Sequence, residues 1–321
     1  TFTFSLTTNT HTTCTIATKG VLTMRDASFR ADVLCLVTAL IWGLAFVAQR
    51  IGMDHMGPMG FNGIRFALGA LALAPLAMRS MRYPPPAPFL AGGNPGFPWL
   101  GGLLAGTVLF AGATLQQVGL KYTTAGKAGF ITGLYVVLVP LLGFFLGQRP
   151  ARGDVVGAVA AAVGLYFLSV TEAFTLAPGD GLELVGAFFW AGHVLVIGWL
   201  SPRTRALPLA MAQYVVCSVL SLACAVAFEE LSWVGIRGAA WPILYGGLLS
   251  VGLAYTLQVV AQRDAKPTHA AILLSFETVF AALGGAVVLG ESLGERGLFG
   301  CALMFAGMLA SQLWPKARQA A

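Results

Sequence analysis

The sequence predicts an all-α polytopic membrane protein with ten transmembrane helices, arranged as two inverted five-helix repeats. Three observations carry that reading. Of 321 residues, 57% are hydrophobic and only 10% charged, against roughly 25% charged in an ordinary soluble domain. Apolar runs of bilayer length follow one another along almost the whole chain, and short motifs recur half a chain apart. So little polar surface cannot cover so much apolar content in water, which excludes a soluble enzyme or a soluble binding module.

The apolar runs lie at about 31–50, 60–79, 98–119, 126–147, 153–171, 182–200, 208–228, 241–262, 268–290 and 296–314. Each is close to the ~20 residues a helix needs to cross the hydrocarbon. QRPARGD alone separates the fourth run from the fifth, and ESLGER the ninth from the tenth, so both pairs read as tight helical hairpins. The proline-rich connection from Arg79 to Pro98 reads as a loop. Residues 1–30, Thr-rich at the start, read as a disordered tail, and residues 315–321 as a short cytoplasmic tail.

Orientation follows from the basic residues. Thirteen of the 19 Lys and Arg fall on the side that holds the N-terminus. Six, Arg65 among them, fall on the other. That asymmetry places both termini in the cytoplasm. The net charge of +6 is therefore a topology signal spread over short loops, and no nucleic-acid partner is expected. The five cysteines, Cys14, Cys35, Cys217, Cys224 and Cys301, form no CxxC pair and suggest neither a disulfide framework nor a metal site. No motif for a cofactor occurs.

Duplication is visible in the text of the chain. ATLQQV at Ala113–Val118 answers YTLQVV at Tyr255–Val260. Carried forward, that alignment pairs Ala128 with Ala270 and Gly143 with Gly285. After a one-residue slip it pairs Gly147 with Gly290, Gly157 with Gly300 and Gly164 with Gly307, and Trp42 matches Trp190 further back. The repeats span 31–171 and 182–314, with five helices each. An odd number forces the second copy to enter from the opposite face, an architecture typical of secondary transporters with a site near the midplane.

FETVFAALGGAVVLGESLGERGLFGCALMFAGMLA resembles the last two helices of the EamA repeat of the drug/metabolite transporter superfamily. GLYVVLVPLLGFFLGQRPARGDVVGAVAAAVGLYFL is similar to the same element in the first copy, and IWGLAFVAQRIG and GIRFALGALAL to the first two helices. The resemblance covers about residues 31–314. Gln148 stands where the first copy usually has glutamate. Thr278 stands where the ninth helix often has proline, which implies a straighter ninth helix. The resemblance implies an inner-membrane exporter of small metabolites, most readily amino acids, including aromatic ones. Other uncharged or cationic organic cargo, or an integral membrane enzyme on a lipid-linked substrate, are the rival readings. The partners expected are a small-molecule substrate and the bilayer; oligomeric state is open, a monomer included.

The candidate substrate residues are polar or aromatic groups within the apolar runs. Glu277 lies near the middle of the ninth, where a carboxylate costs roughly 2.5–3.5 kcal/mol unless it faces the protein interior or a wet cavity. It reads either as a cavity acid or as a carboxyl held by interhelical hydrogen bonds, and the repeat alignment pairs it with Tyr135. Gln116, Gln117 and Gln258, beside Tyr255, read as substrate contacts or as interhelical amide bonds. Lys127, at a helix start, is either a snorkelling cation or a site residue. His193, beside Trp190, is either a satisfied interior histidine or a proton relay. Trp42 and Trp190 read as packing at the repeat interface or as cavity wall. Few basic residues at mid-depth argue against anionic cargo.

The orientation has a direct test. Single cysteines in a Cys-free background should label from outside with an impermeant maleimide at Glu172–Gly181 and resist at Ser201–Leu207. The reverse pattern overturns it.

Overall fold

The structure is a computed structural model, and residues 10–83, 97–123, 125–169, 178–289 and 294–314 are described. Most of the proline-rich connection, the first half of ESLGER, residues 170–177, both chain ends and the Lys127 side chain lie outside that description. The described residues form helices joined by short turns, with no strand among them. Among the described residues eight helical spans, some of them built from more than one helix, are long and apolar enough to cross a membrane, which makes this a multi-pass membrane protein.

Helix α1 runs Thr10–Gly52, with its apolar span at Ala27–Gly52. It therefore begins inside the segment expected to be a disordered tail. Once the apolar span is helical, each added residue gains a hydrogen bond without a new nucleation step. Helices α2 (Pro58–Met81) and α3 (Phe97–Gly119) follow as continuous spans. α2 opens on Pro58, whose missing N–H has no partner to lose. Its next amides are capped from a distance: Met59 N–H and Gly60 N–H donate to the two carboxylate oxygens of Glu229 at 2.9 and 2.8 Å.

The fourth run is not one helix. It is split into α4 (Ala125–Gly133) and α5 (Tyr135–Phe145) at Leu134. Two residues past the end of α5 stands Gly147, whose positive φ of 78° lets Gln148 N–H reach back to Gly143 O and Gly147 N–H to Phe144 O. The hairpin turns there into α6 (Arg152–Ser169). Helices α7 (Pro178–Leu200) and α8 (Ala206–Phe228) are again continuous spans.

The eighth run is assembled from three pieces after the short helix α9 (Trp233–Gly238): α10 (Ala240–Leu244), a π-helix π1 (Tyr245–Tyr255) and α11 (Thr256–Ala261). Eleven residues of π-helix are unusual, since the π form normally appears as a single widened turn. Side chains clasp this stretch to α1. Thr38 and Trp42 donate to the carbonyls of Ala254 and Ser250, and the Tyr245 hydroxyl donates to Ile41 O.

The ninth run is also split, into α12 (Pro267–Leu274) and α13 (Glu277–Leu289). This corrects the straight helix expected from Thr278 in place of proline. At both breaks the backbone tightens to i→i−3 bonding: Leu134 to Ile131, Val137 to Leu134, Phe276 to Leu273 and Thr278 to Ser275. In the second, the Ser275 hydroxyl also bonds Ile272 O, competing with the helical ladder. A proline is not needed to interrupt the ladder there. The last helix is α14 (Glu295–Leu313).

Glycine faces set the closest contacts. A Cβ on Gly157 of α6 would stand 2.7 Å from Gly307 O of α14, a Cβ on Gly307 equally near Gly157 O, and one on Gly164 2.6 Å from Gly300 O. Small residues let the two backbones meet, as membrane helices require where no water drives them together. One end of the bundle is tied by a polar chain through four helices. Ser311 donates to Asp154 at 2.7 Å, and His269 joins Ser311 at 2.9 Å and Asp32 at 2.8 Å. Outward side chains are large and apolar, including Phe145, Phe228 and Val287. Trp99, Trp199, Trp233, Trp241 and Trp314 stand exposed at or near helix ends, where indoles favour the membrane interface. Cys35, Cys217, Cys224 and Cys301 are free thiols.

Glu229→Ala should remove the cap of α2 and cost about 1–2 kcal/mol. The loss is read as a lower thermal midpoint in nanodiscs, with Glu229→Gln falling between the two.

Candidate functional site

A cavity lies inside the bundle. α1 contributes Trp42, Phe46 and Gln49, one turn apart on one face. The α4/α5 break contributes Thr132 and Tyr135, and the α12/α13 break contributes Leu274 and Glu277. Ser250 and Tyr255 of π1, Gln258 of α11, Gln116 of α3 and Trp190 and Val194 of α7 complete the walls, with Arg65 of α2.

Tyr255 is the centre of the aromatic wall. Its ring lies 4.5 Å from Trp42, 5.9 Å from Phe66 and 6.2 Å from Trp190, the last nearly parallel at 21°. Trp42 is held in place by its indole N–H on Ser250 O at 3.2 Å. The widened π turn and the α1 face are thus fixed to each other beside the cavity.

Glu277 is 4% exposed and sits at the start of α13. A Cβ on Gly43 of α1 would meet Glu277 O at 2.5 Å, so the helix break is pressed directly on α1. The Tyr135 hydroxyl is its neighbour within electrostatic reach, without hydrogen-bond geometry between them. The two residues that the repeat alignment pairs therefore face each other across the cavity wall. Gln116 Nε2 donates to Gln49 Oε1 at 3.3 Å, and its amide lines the cavity. Gln258 Oε1 is buried without a partner among the described residues.

Two candidates stand outside the lining. Gln117 is fully buried, and its amide donates to Gln49 O at 3.4 Å, joining α3 to α1. His193 Nε2 pairs with Gln213 Oε1 at 2.8 Å and bridges α7 to α8. Trp190 lines the cavity beside that histidine, with their ring centroids 6.2 Å apart. Lys127 is on α4, its side chain outside the described residues.

The structure adds residues that the sequence reading passed over. Arg65, counted there among loop charges, is 2% exposed and lines the cavity. It lies seven residues past Pro58, roughly 10 Å along the helix. The scarcity of cations at mid-depth is corrected by this one. Glu183 of α7 is a second intramembrane acid, fully buried and bonded by Thr132 at 3.2 Å. Gln49 is the hub that receives both α3 glutamines. The signal available was position: GIRFA places Arg65 well inside a bilayer-length run, as Glu277 is placed in its own.

The sequence matches the EamA-like transporter family over residues 29–170 and 177–311. The chain belongs to that family. An uncharacterized transporter of Archaeoglobus fulgidus is 33% identical over 280 residues, covering 87% of this chain and 84% of that protein. An uncharacterized inner membrane transporter of Escherichia coli K12 is 25% identical, over 80% of this chain and 82% of its own length. A protein of Salmonella typhimurium described as a "probable amino-acid metabolite efflux pump" is 28% identical over 49% of this chain and 50% of its own length. A solved crystal structure superposes with a TM-score of 0.71 at 20% identity, covering 88% of this chain and 96% of that one. At that identity it shows the fold alone.

Position relative to the cavity separates two of the candidates. Tyr255→Ala, which removes the ring against which Trp42 and Trp190 rest, should weaken the apparent affinity for the transported solute about tenfold or more. Tyr255→Phe should keep the wall. Gln117→Ala should lower the thermal midpoint while the apparent affinity stays within about twofold, because its amide joins helices by a bond typically worth ~0.6 kcal/mol.

Proposed function

We propose that this transporter exports small metabolites, amino acids foremost, across the inner membrane by alternating access between two inverted five-helix repeats, 31–171 and 182–314, with ten spans and both termini cytoplasmic. The observation that carries the proposal is the central cavity, walled by both halves, in which the intramembrane acid Glu277 faces an aromatic surface of Trp42, Trp190 and Tyr255. An acid can hold an ammonium, the amides of Gln116 and Gln258 can bond polar atoms, and the rings can take an apolar side chain. The Salmonella typhimurium relative, described as a "probable amino-acid metabolite efflux pump", points to the same cargo class.

The packing pattern supports the inverted repeat. α6 packs on α14 and α2 on α8, each an element against its own counterpart. α1 packs on π1 and α13, while α7, its counterpart, packs on α3 and on α4 and α5. Gly157 meets Gly307 and Gly164 meets Gly300, although the sequence pairs Gly157 with Gly300 and Gly164 with Gly307. That exchange of partners is what a two-fold axis between antiparallel copies produces. A helix break recurs at Leu134 and at Ser275–Phe276, each beside the paired Tyr135 and Glu277.

Proteoliposome counterflow of radiolabelled phenylalanine tests the function. The wild type should exchange it, Glu277→Gln should retain substantial exchange by keeping a polar group in place, and Glu277→Ala should lose most of it. Glu277→Lys should fail to reach the membrane. Absence of exchange for every amino acid tried, with the protein folded, refutes the cargo class. A folded but inactive Glu277→Gln would show that the carboxylate charge itself is required.

A further inference from the structure

A buried guanidinium is among the most costly groups to leave in a membrane interior, and it is retained where something pairs with it. Arg65 has an incomplete set of partners. Its Nε donates to Asn62 Oδ1 at 3.0 Å, and Asn62 is itself pinned by its Nδ2 on Ala113 O at 3.0 Å. The guanidinium carbon lies 5.5 Å from the Phe61 ring and 5.1 Å from Phe66, and a Cβ on Gly246 would stand 3.3 Å from the Arg65 stem. The side chain is therefore clamped along its length and oriented at Nε. Arginine carries five N–H donors, and the four on its terminal nitrogens have no protein acceptor among the described residues. No carboxylate forms an ion pair with it among those residues. The group lines the cavity.

We infer that Arg65 is an anion subsite of this cavity and that it takes the carboxylate of the cargo. The inference rests on the reading of the cavity as the cargo site, and it deepens that reading by making the cargo a carboxylate-bearing molecule, with a zwitterion the best match. The terminal nitrogens present the planar fork that matches a carboxylate. Tyr255 lies within electrostatic reach of both Arg65 and Glu277, so the cation and the acid flank the same ring. A zwitterion whose carboxylate sits on Arg65 can direct its ammonium to Glu277 and its side chain onto Trp42 and Trp190. Asn62 is a positioning residue: it holds Nε and leaves the fork free.

Three probes with one ring and different charge decide the matter: 3-phenylpropionate, its neutral amide 3-phenylpropionamide, and phenethylamine. Each is titrated into the full-length protein in nanodiscs, with binding followed by quenching of tryptophan fluorescence. In the wild type the carboxylate should bind about tenfold or more tighter than its amide. Arg65→Gln should abolish that preference while phenethylamine binding stays within about twofold, and Arg65→Lys should restore part of it. Asn62→Ala should reduce the preference less than Arg65→Gln does. Equal wild-type binding of carboxylate and amide, absence of binding by all three probes, or an Arg65→Gln variant that keeps the preference would each overturn the assignment. If Arg65→Gln does not fold, the wild-type comparison and Arg65→Lys still decide. The proposed function fails separately. An Arg65-dependent carboxylate preference without phenylalanine counterflow would keep the anion subsite and remove amino acids as cargo.

Discussion

Hydrocarbon offers no hydrogen-bond partner, so every polar group carried into the membrane must find one inside the protein or border a wet cavity. The arrangement of this molecule follows from that constraint. The open amides of α2 are met by the Glu229 carboxylate. The widened π-helix has two carbonyls covered by Thr38 and Trp42 of α1. Asp32, His269, Ser311 and Asp154 complete one another at one end of the bundle. Gln49, Gln116 and Gln117 do the same between α1 and α3.

The cavity is one of several places where this pairing is left open among the described residues, with buried atoms of Gln117, Glu183, His193 and Gln213 among the others. Among the described residues the Trp190 indole N–H and Gln258 Oε1 have no hydrogen-bond partner, the Tyr135 hydroxyl faces Glu277, and all three residues line the cavity. Arg65 and Glu277 bring a guanidinium and an acid to the same walls with no ion pair between them among the described residues. Under the proposed function, a bound solute would supply partners that these pocket-lining groups lack.

Interrupted helices deliver those groups. An unbroken α-helix would turn successive residues away from a single point at 3.6 residues per turn. At Leu134 and at Ser275–Phe276 the tighter bonding resets the direction, and Tyr135 and Glu277 begin the new helices at the cavity wall. The continuous faces are reserved for packing. Gly157, Gly164, Gly300 and Gly307 bring the backbones of α6 and α14 together, and Ser311 bonds Asp154 at one end of the pair.

Class, the positions of eight spans and family were legible in the sequence because each rests on local quantities: run length, charge scarcity and recurring short motifs such as TLQ. Glu277 was legible for the same reason, since a carboxylate within an apolar run has one energetically acceptable direction. Arg65 carried the same signal but was grouped with loop charges, because the positive-inside count treats a cation near a helix start as a flank. Thr278 was read through proline alone, whereas a serine bonding its own helix backbone breaks the helix as well. Gln117 and Gln116 are adjacent in sequence and take different roles because neighbours on a helix point about 100° apart, and only the packing of α1 against α3 decides which one meets the cavity. The sequence by itself determined that polar groups would turn inward. Which of them pair with each other and which are left for a ligand was decided by the tertiary structure, because partners such as Arg65 and Asn62 with Ala113, or Tyr135 with Glu277, are brought together from distant segments by helix breaks and crossings that no local pattern encodes.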